Sequence, residues 1–460
     1  MSRIFLLSSN VATDPYPVYP LGMAVIAAAL QNQGHEVRQF DLLASDGDEE
    51  TLVQALNAFR PDYVGLSLRN IDNVDSFSSD DNWYLAGARQ LVARIKTCCA
   101  VPVIVGGPAF SIMPREILNF LGADYGVVGE GEQLVPQLIS ALQQGRAVEP
   151  LQQVDEPLAG AAMSGPLLVP EYVEFYQRHS GMINLQTKRG CPYRCVYCTY
   201  PALEGHRFRP RDPAAVVDDM LRMQRDHQTD HLFFTDSVFN DRQGLYLQLV
   251  EEMLRRALKL RWCAFFRPQG LTPDILRLLK RSGLYAMELG TDAGCDRTLA
   301  GFDKGFTFAE ALACHRAAVA EEIPCAHFIM FGGPEETPDT VRESLSNIEQ
   351  IEQGVVFAFS GIRILPKSRL LERAIADGVV AADVDLLKPV YYFSPQVDPE
   401  WMNAQILASF AGRRDRIFPP AEGQAKMAVM NNFGFKGILW DQLIRFGAPQ
   451  RSRRRRATRS

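Results

Sequence analysis

The sequence predicts an α/β chain in two parallel-sheet units. A doubly wound, Rossmann-like sheet comes first, and a partial (β/α)6 barrel of the TIM type and a small α-rich C-terminal cap follow. Three observations carry this prediction. Short runs rich in valine, isoleucine and leucine alternate with helical stretches in two successive series. A proline-bearing segment without sustained periodicity separates the series. The composition is that of ordinary globular protein, 47% hydrophobic and 22% charged over 460 residues, enough for two or three domains.

In the first unit, residues 1–145, strands are expected at Arg3–Leu7, Glu36–Phe40, Asp62–Ser67, Pro102–Val105 and Asp124–Val128. They are apolar at consecutive positions and bounded by turn residues, as strands covered on both faces are. Helices are expected at Leu21–Gln33, Glu50–Phe59, Asp81–Lys96 and Pro114–Leu121. Ligands of such sheets bind beyond the carboxyl ends of the strands. Unusual residues gather there: Pro20-Leu21-Gly22 entering the first helix, Leu68–Asn73 with Arg69 and Asn70, Gly106-Gly107-Pro108, and Gly129-Glu130-Gly131. Residues 146–180, with Pro150, Pro157, Pro166 and Pro170, read as a linker.

In the second unit, residues 181–365, strands are expected at Met182–Thr187, His231–Thr235, Arg261–Phe266, Tyr285–Leu289, Ala326–Phe331 and Val355–Phe359. Helices fit Asp212–His227, Asp241–Ala257, Thr272–Arg281, Thr307–Ala320 and Thr337–Glu352, with Asp212 as an N-cap before Pro213. Residues 366–449 read as the cap and 450–460 as a basic tail. The last ten residues carry six arginines, so the overall charge of −6 leaves the rest of the chain at −12. Such a body is not built to coat nucleic acid. The tail reads as a solvated segment, or alternatively as a contact for RNA or anionic lipid. Neither a secretory leader nor a membrane span is legible, and a cytoplasmic setting is the expectation.

The chemistry concentrates in Lys188-Arg189-Gly190-Cys191-Pro192-Tyr193-Arg194-Cys195-Val196-Tyr197-Cys198. This CxxxCxxC spacing lies just past the first barrel strand, at the end where barrel enzymes hold their chemistry. Three thiolates can bind three irons of a 4Fe–4S cluster and leave the fourth open to a substrate chelate. The alternative is a zinc site completed by His206, although neither a second pair of ligands nor an HxxxH is present. The other cysteines, Cys98, Cys99, Cys263, Cys295, Cys314 and Cys325, read as small apolar side chains, with Cys263 and Cys325 the best placed to reach a site.

The cysteine segment resembles the radical S-adenosylmethionine (SAM) superfamily. His231–Asn240 looks like that family's second strand, with Asp236 and Asn240 at its exit. Glu288-Leu289-Gly290-Thr291-Asp292-Ala293-Gly294 resembles its fourth-strand motif, with Ala293 where serine is usual. Gly332-Gly333 resembles a turn beside SAM's adenine and ribose. The first unit resembles the cobalamin-binding domain of the cobalamin-dependent radical SAM enzymes, but without the D-x-H-x-x-G motif that supplies a histidine to cobalt; His35 reads as a surface turn. The resemblance implies Cys191, Cys195 and Cys198 as cluster ligands. It implies Tyr197, Asp236, Glu288, Gly290, Gly332 and Gly333 around SAM, and Pro20, Leu21, Gly22, Arg69, Asn70, Gly106, Gly107, Pro108, Gly129, Glu130 and Gly131 around cobalamin. Arg69 is the candidate beneath the corrin.

The resemblance further implies methylation of an unactivated carbon, one SAM giving its methyl group through methylcobalamin and a second giving the 5′-deoxyadenosyl radical. The alternatives are a radical cyclisation or rearrangement without methyl transfer, and a cluster and corrin carrier without catalysis. An electron donor such as flavodoxin or ferredoxin is implied as partner. The substrate is expected to be a small or lipid-like molecule, in a style similar to a lipid-biosynthesis and ladderane-cluster subgroup. Pro389–Pro395 either lines an apolar pocket for it or belongs to the core.

Overall fold

The computed structural model describes residues 1–13, 16–77, 83–153, 156–432, 435 and 437–444. The arginine tail, and with it residues 445–449 of the expected cap, lies outside the described residues. The first sheet contains β1 (Arg3–Ser8), β2 (Glu36–Asp41), β3 (Tyr63–Ser67), β4 (Val103–Gly106), β5 (Tyr125–Val128) and β6 (Leu151–Gln153), in the spatial order β2-β1-β3-β4-β5-β6. All pairs are parallel. The strand order reverses between β1 and β3, and sheets of this kind open a ligand crevice at such a switch point. Arg69 follows β3 at that point.

Two features of residues 146–180 depart from the expected linker. Leu151–Gln153 adds β6 beside β5, with Leu151 opposite Gly126, and Pro170–His179 is a helix. A three-residue strand is too short to leave a periodic signature, and the helix is opened by Pro170 in its first turn, a residue that reads equally as a loop. Helices Pro108–Ile112 and Gly131–Gln143 were not among the sequence expectations either.

The second sheet begins with β7 (Ile183–Leu185). A two-residue antiparallel pair, β8 (Lys188–Arg189) with β9 (Arg209–Pro210), brackets the cysteine loop. Then come β10 (His231–Phe234), β11 (Arg261–Phe266), β12 (Leu284–Asp292), β13 (Cys325–Phe331) and β14 (Gly354–Ser360). β15 (Ile362–Arg363) pairs antiparallel with β16 (Tyr391–Tyr392), and β17 (Arg416–Ile417) joins the sheet's edge from the cap. The order β17-β14-β13-β12-β11-β10-β7 is parallel throughout, so the six expected barrel strands gain a seventh short one.

The helix starts follow their caps. Asp212, Thr272, Thr307 and Thr337 each accept a hydrogen bond from a first-turn backbone N–H, and Thr307 with Glu310 forms a capping box. The barrel strands sort their side chains by period two. Leu232, Phe234, Trp262, Phe266, Met287 and Leu289 pack outward against helices, whereas Phe233, Cys263, Ala286, Ala326, Val355 and Phe357 form a separate inner core. Cys263 therefore faces the lumen, and Cys325 packs on the outer side.

Buried ion pairs join the two units. Glu130 pairs with Arg189 at 3.2 Å and Arg209 at 2.7 Å, and Glu132 also takes Arg189. Asp72 pairs with Arg363 at 2.8 Å, both side chains almost fully buried. Among the described residues no helix is long and apolar enough to cross a membrane.

Candidate active site

The cysteine loop is pinned at both ends by backbone. Gly190 stands at φ +86°, and a Cβ there would strike the Arg207 carbonyl at 2.0 Å, so only glycine admits the turn. Cys191 N–H donates to the Gly205 carbonyl at 3.0 Å and Cys198 N–H to the Cys195 carbonyl at 3.1 Å. Val196 N–H donates to the Phe302 carbonyl, and its own carbonyl accepts from Leu370 N–H. The three thiols act electrostatically on one another. Burial raises Cys191 and pushes Cys198 up to about 12. As free thiols Cys191 and Cys198 remain protonated at neutral pH, and iron is the kind of cationic partner that makes thiolates of such groups. Among the described residues no three His, Cys, Asp or Glu side chains converge on a single-ion site, and His206 is exposed. Three thiols with no fourth protein ligand beside them are the donor set of a 4Fe–4S cluster with one open iron.

Beside the loop, the Tyr197 hydroxyl donates to Asp292, which also holds Lys304 at 2.6 Å. Asp292 adopts φ +64° where the pairing of β12 with β13 shifts register, so the bulge aims its carboxylate at the loop. Burial works against the Lys304 charge, but Asp292 and Cys195 more than restore it. Arg267 lies 3.8 Å above the Tyr193 ring and 5.1 Å from that of Phe306. Its N–H donates to the Asn240 side-chain oxygen at 2.9 Å. Asp292, Lys304 and Arg267 escape the sequence reading as site residues. Asp292 lies within Glu288–Gly294 at a position to which the resemblance gives no role, and Lys304 and Arg267 have no motif around them.

Several expected cofactor residues turn inward to the protein. Asp236 accepts Thr187 N–H at 2.7 Å, Lys188 N–H at 3.2 Å and the Thr187 hydroxyl, so it holds the strand exit rather than presenting a free carboxylate. Glu130 is committed to Arg189, Arg209 and Leu158 N–H. Gly333 is demanded by packing, because a Cβ would stand 2.2 Å from Phe302. Gly332, at φ +87°, lies under Phe393, and its N–H donates to the buried Glu336 at 3.2 Å. Phe393 and Tyr392 pack against this turn and the main core, so Pro389–Pro395 is core rather than pocket wall.

Glu288 faces the lumen. Burial pushes its carboxyl up to about 8, and the adjacent Trp440 indole offsets part of that. Glu288, Cys263 and Arg69 all act on the buried Tyr16 hydroxyl. Burial lowers Arg69, and its main electrostatic neighbours are the tyrosines Tyr16, Tyr200, Tyr176 and Tyr84. No carboxylate lies within ion-pair distance of it among the described residues. Gly107 holds φ +102°, with a Cβ excluded by the Leu68 carbonyl at 2.4 Å, and nothing stands within 4 Å of where a Gly22 Cβ would sit. Gly129 N–H donates to Ser111 Oγ at 2.9 Å, Pro20 precedes the first helix, and Leu21 and Asn70 are half-buried. A glycine-edged switch point, with a cation that no carboxylate pairs among the described residues, fits a cofactor such as a corrin.

The chain matches the B12 binding domain family over residues 7–139 and the radical SAM superfamily over residues 185–348. It is 26% identical over 432 residues to tryptophan 2-C-methyltransferase of Streptomyces laurentii, covering 76% of this chain and 71% of the relative. It is 25% identical over 334 residues to hopanoid C-2 methylase of Rhodopseudomonas palustris, covering 68% of this chain and 62% of that one. Its fold is that of the radical SAM methyltransferase TsrM from Kitasatospora setae, solved with cobalamin and a [4Fe-4S] cluster (TM-score 0.82, 24% identity, 96% of this chain and 97% of that one). The cobalamin-dependent enzyme OxsB aligns with TM-score 0.71 at 17% identity over 94% of this chain and 71% of its own. A B12 binding domain match thus stands ahead of a radical SAM match in this chain, on a fold that is also that of TsrM.

Proposed function

We propose that this protein methylates an unactivated carbon of a small molecule, using SAM, a 4Fe–4S cluster on Cys191, Cys195 and Cys198, and cobalamin on the first sheet. The observation that carries this reading is a shared space. Tyr16, in the loop after β1, stands 6.1 Å from Phe233 and packs in the inner core of the second sheet. A loop from the carboxyl end of the first sheet therefore enters the lumen of the second. The names of the methyltransferase relatives point the same way.

When bound, the cluster with SAM supplies one-electron cleavage of a carbon–sulfur bond, and the corrin carries a methyl group. The chain's residues hold and orient. Tyr197, Asp292 and Lys304 fix the inner side of the cysteine loop. Arg69, after β3 at the switch point, would lie against the corrin, and a guanidinium has no lone pair to offer a metal. Glu288 keeps its proton below about pH 8 and can donate or accept a hydrogen bond in the lumen. Ile438 and Trp440 close the floor against water. A reducing, cytoplasmic setting with a flavodoxin or ferredoxin as electron donor suits a chain whose nine cysteines are all free.

The test is an anaerobic incubation with methyl-labelled SAM, reductant and a small-molecule extract. Equal amounts of S-adenosylhomocysteine, 5′-deoxyadenosine and labelled product are expected. Deoxyadenosine without S-adenosylhomocysteine or labelled product would overturn methyl transfer.

A further inference from the structure

Six of the nine cysteines lie outside the CxxxCxxC loop, and four of these, Cys263, Cys295, Cys314 and Cys325, are buried. Cys98 and Cys99 differ in both exposure and arrangement. They are half-exposed and adjacent in sequence, and their sulfurs stand 3.6 Å apart. Cys98 ends the helix Tyr84–Cys98, and Cys99 caps it in an extended conformation, its N–H donating to the Ile95 carbonyl at 2.8 Å. Along an uninterrupted helix adjacent side chains do not face each other. The change of backbone between these two residues is what brings the thiols together. The pair stands just before β4, at the amino end of that strand, whereas Gly106 lies at its carboxyl end.

Two chemistries are open to such a pair. Oxidation to a disulfide is disfavoured by geometry, because consecutive Cα atoms are about 3.8 Å apart across a trans peptide, short of the roughly 4.4–6.8 Å that disulfides span. It also needs a thiolate to begin it, and burial, then the bond to Cys98, pushes the Cys99 thiol up to about 11. Chelation asks for little movement. Two sulfurs bonded at about 2.3 Å to one tetrahedral centre stand about 3.8 Å apart, close to the separation found here. Among the described residues no third His, Cys, Asp or Glu side chain joins the pair. A structural zinc site, which takes four protein ligands, is therefore not formed. The pair suits a soft centre that takes two sulfurs and brings its own third substituent. Trivalent arsenic carrying one carbon group is a centre of that kind.

We infer that Cys98 and Cys99 form a chelating dithiol for mono-organic trivalent arsenic, separate from the three cysteines assigned to the cluster. An aryl arsenoxide reacts there without redox change. Two arsenic–sulfur bonds form, the arsenic–oxygen bond breaks, and the oxygen leaves as water with both thiol protons. The second bond closes within one molecule, which favours the pair over two separate thiols. The test uses cofactor-loaded protein under anaerobic conditions, equimolar phenylarsine oxide, excess glutathione as a competing monothiol, and gel filtration. About one arsenic per chain is expected to stay bound, with the iron content unchanged, and to be stripped by the dithiol dithiothreitol. Cys98→Ser and Cys99→Ser should each lower retention at least about tenfold, since each leaves a single thiol. No retained arsenic, equal retention in both serine variants, or iron lost in step with arsenic uptake would overturn the inference. In protein that loads no iron, Cys191, Cys195 and Cys198 add a background common to wild type and variants. The difference between them still reads Cys98 and Cys99, so failure of the cofactor reading is told apart from failure of this one.

Discussion

Three buried carboxyls without an adequate positive partner set the protein's response to pH. Burial pushes Asp41 up to about 6, Glu336 to about 7 and Glu288 to about 8. In the unfolded chain such groups lose their protons near pH 4 to 4.5. These three groups therefore lose stabilising weight as pH rises toward 8, while the buried His315 and His327, held neutral by burial, act in the opposite sense below about pH 6.5. Thermal melting is expected to drop from about pH 6.5 to pH 8, with the drop smaller in Glu288→Gln; a melting point that rises over that range would contradict these assignments. The cysteines make a separate prediction. Cys198→Ser should bring iron to background after anaerobic reconstitution while leaving the circular dichroism spectrum unchanged, since the loop is pinned by backbone bonds that do not use the thiol.

At the scale of elements, two glycines at the corrin-side edge have opposite reasons to be glycine. Gly107→Ala drives a Cβ into the Leu68 carbonyl from a left-handed backbone and should cost on the order of 2–4 kcal/mol, read as a shift in denaturant midpoint. Gly22→Ala meets open space within a helix and should be neutral or stabilise by about 0.5–1 kcal/mol. If a corrin lies over that edge, the same Gly22 change should nonetheless weaken cobalamin retention. The long elements were legible because buried parallel strands and capped helices write their period into the sequence; β11 runs from Arg261 to Phe266 as expected, and Thr307 and Thr337 mark their helices. β6 and β17, of three and two residues, are fixed by the neighbour they pair with rather than by any local pattern. The site was legible to the extent that it was local. CxxxCxxC and the glycine edges could be read, whereas the engagement of Asp236, Glu130 and Gly333 by Thr187, Arg209 and Phe302 depends on contacts between segments far apart in the chain.

At the scale of the molecule, the interface between the two sheets makes the active site. Glu130 and Glu132 on the first sheet bracket Arg189, one residue before the turn into the cysteine loop, so docking of the units positions that loop. Breaking a buried pair on one side leaves an uncompensated charge, and Glu130→Gln is expected to cost roughly 3–5 kcal/mol. Faster limited proteolysis within residues 146–180 should reveal it; an unchanged cleavage rate would contradict this role of Glu130. The central claim is that one interior is served by a cluster on one side and a corrin on the other. Metal analysis of anaerobically purified and reconstituted protein tests it most directly. About four irons and about one cobalt per chain are expected, with the iron lost in Cys198→Ser and the cobalt retained. Iron without cobalt, or zinc in place of iron on the three cysteines, would contradict it.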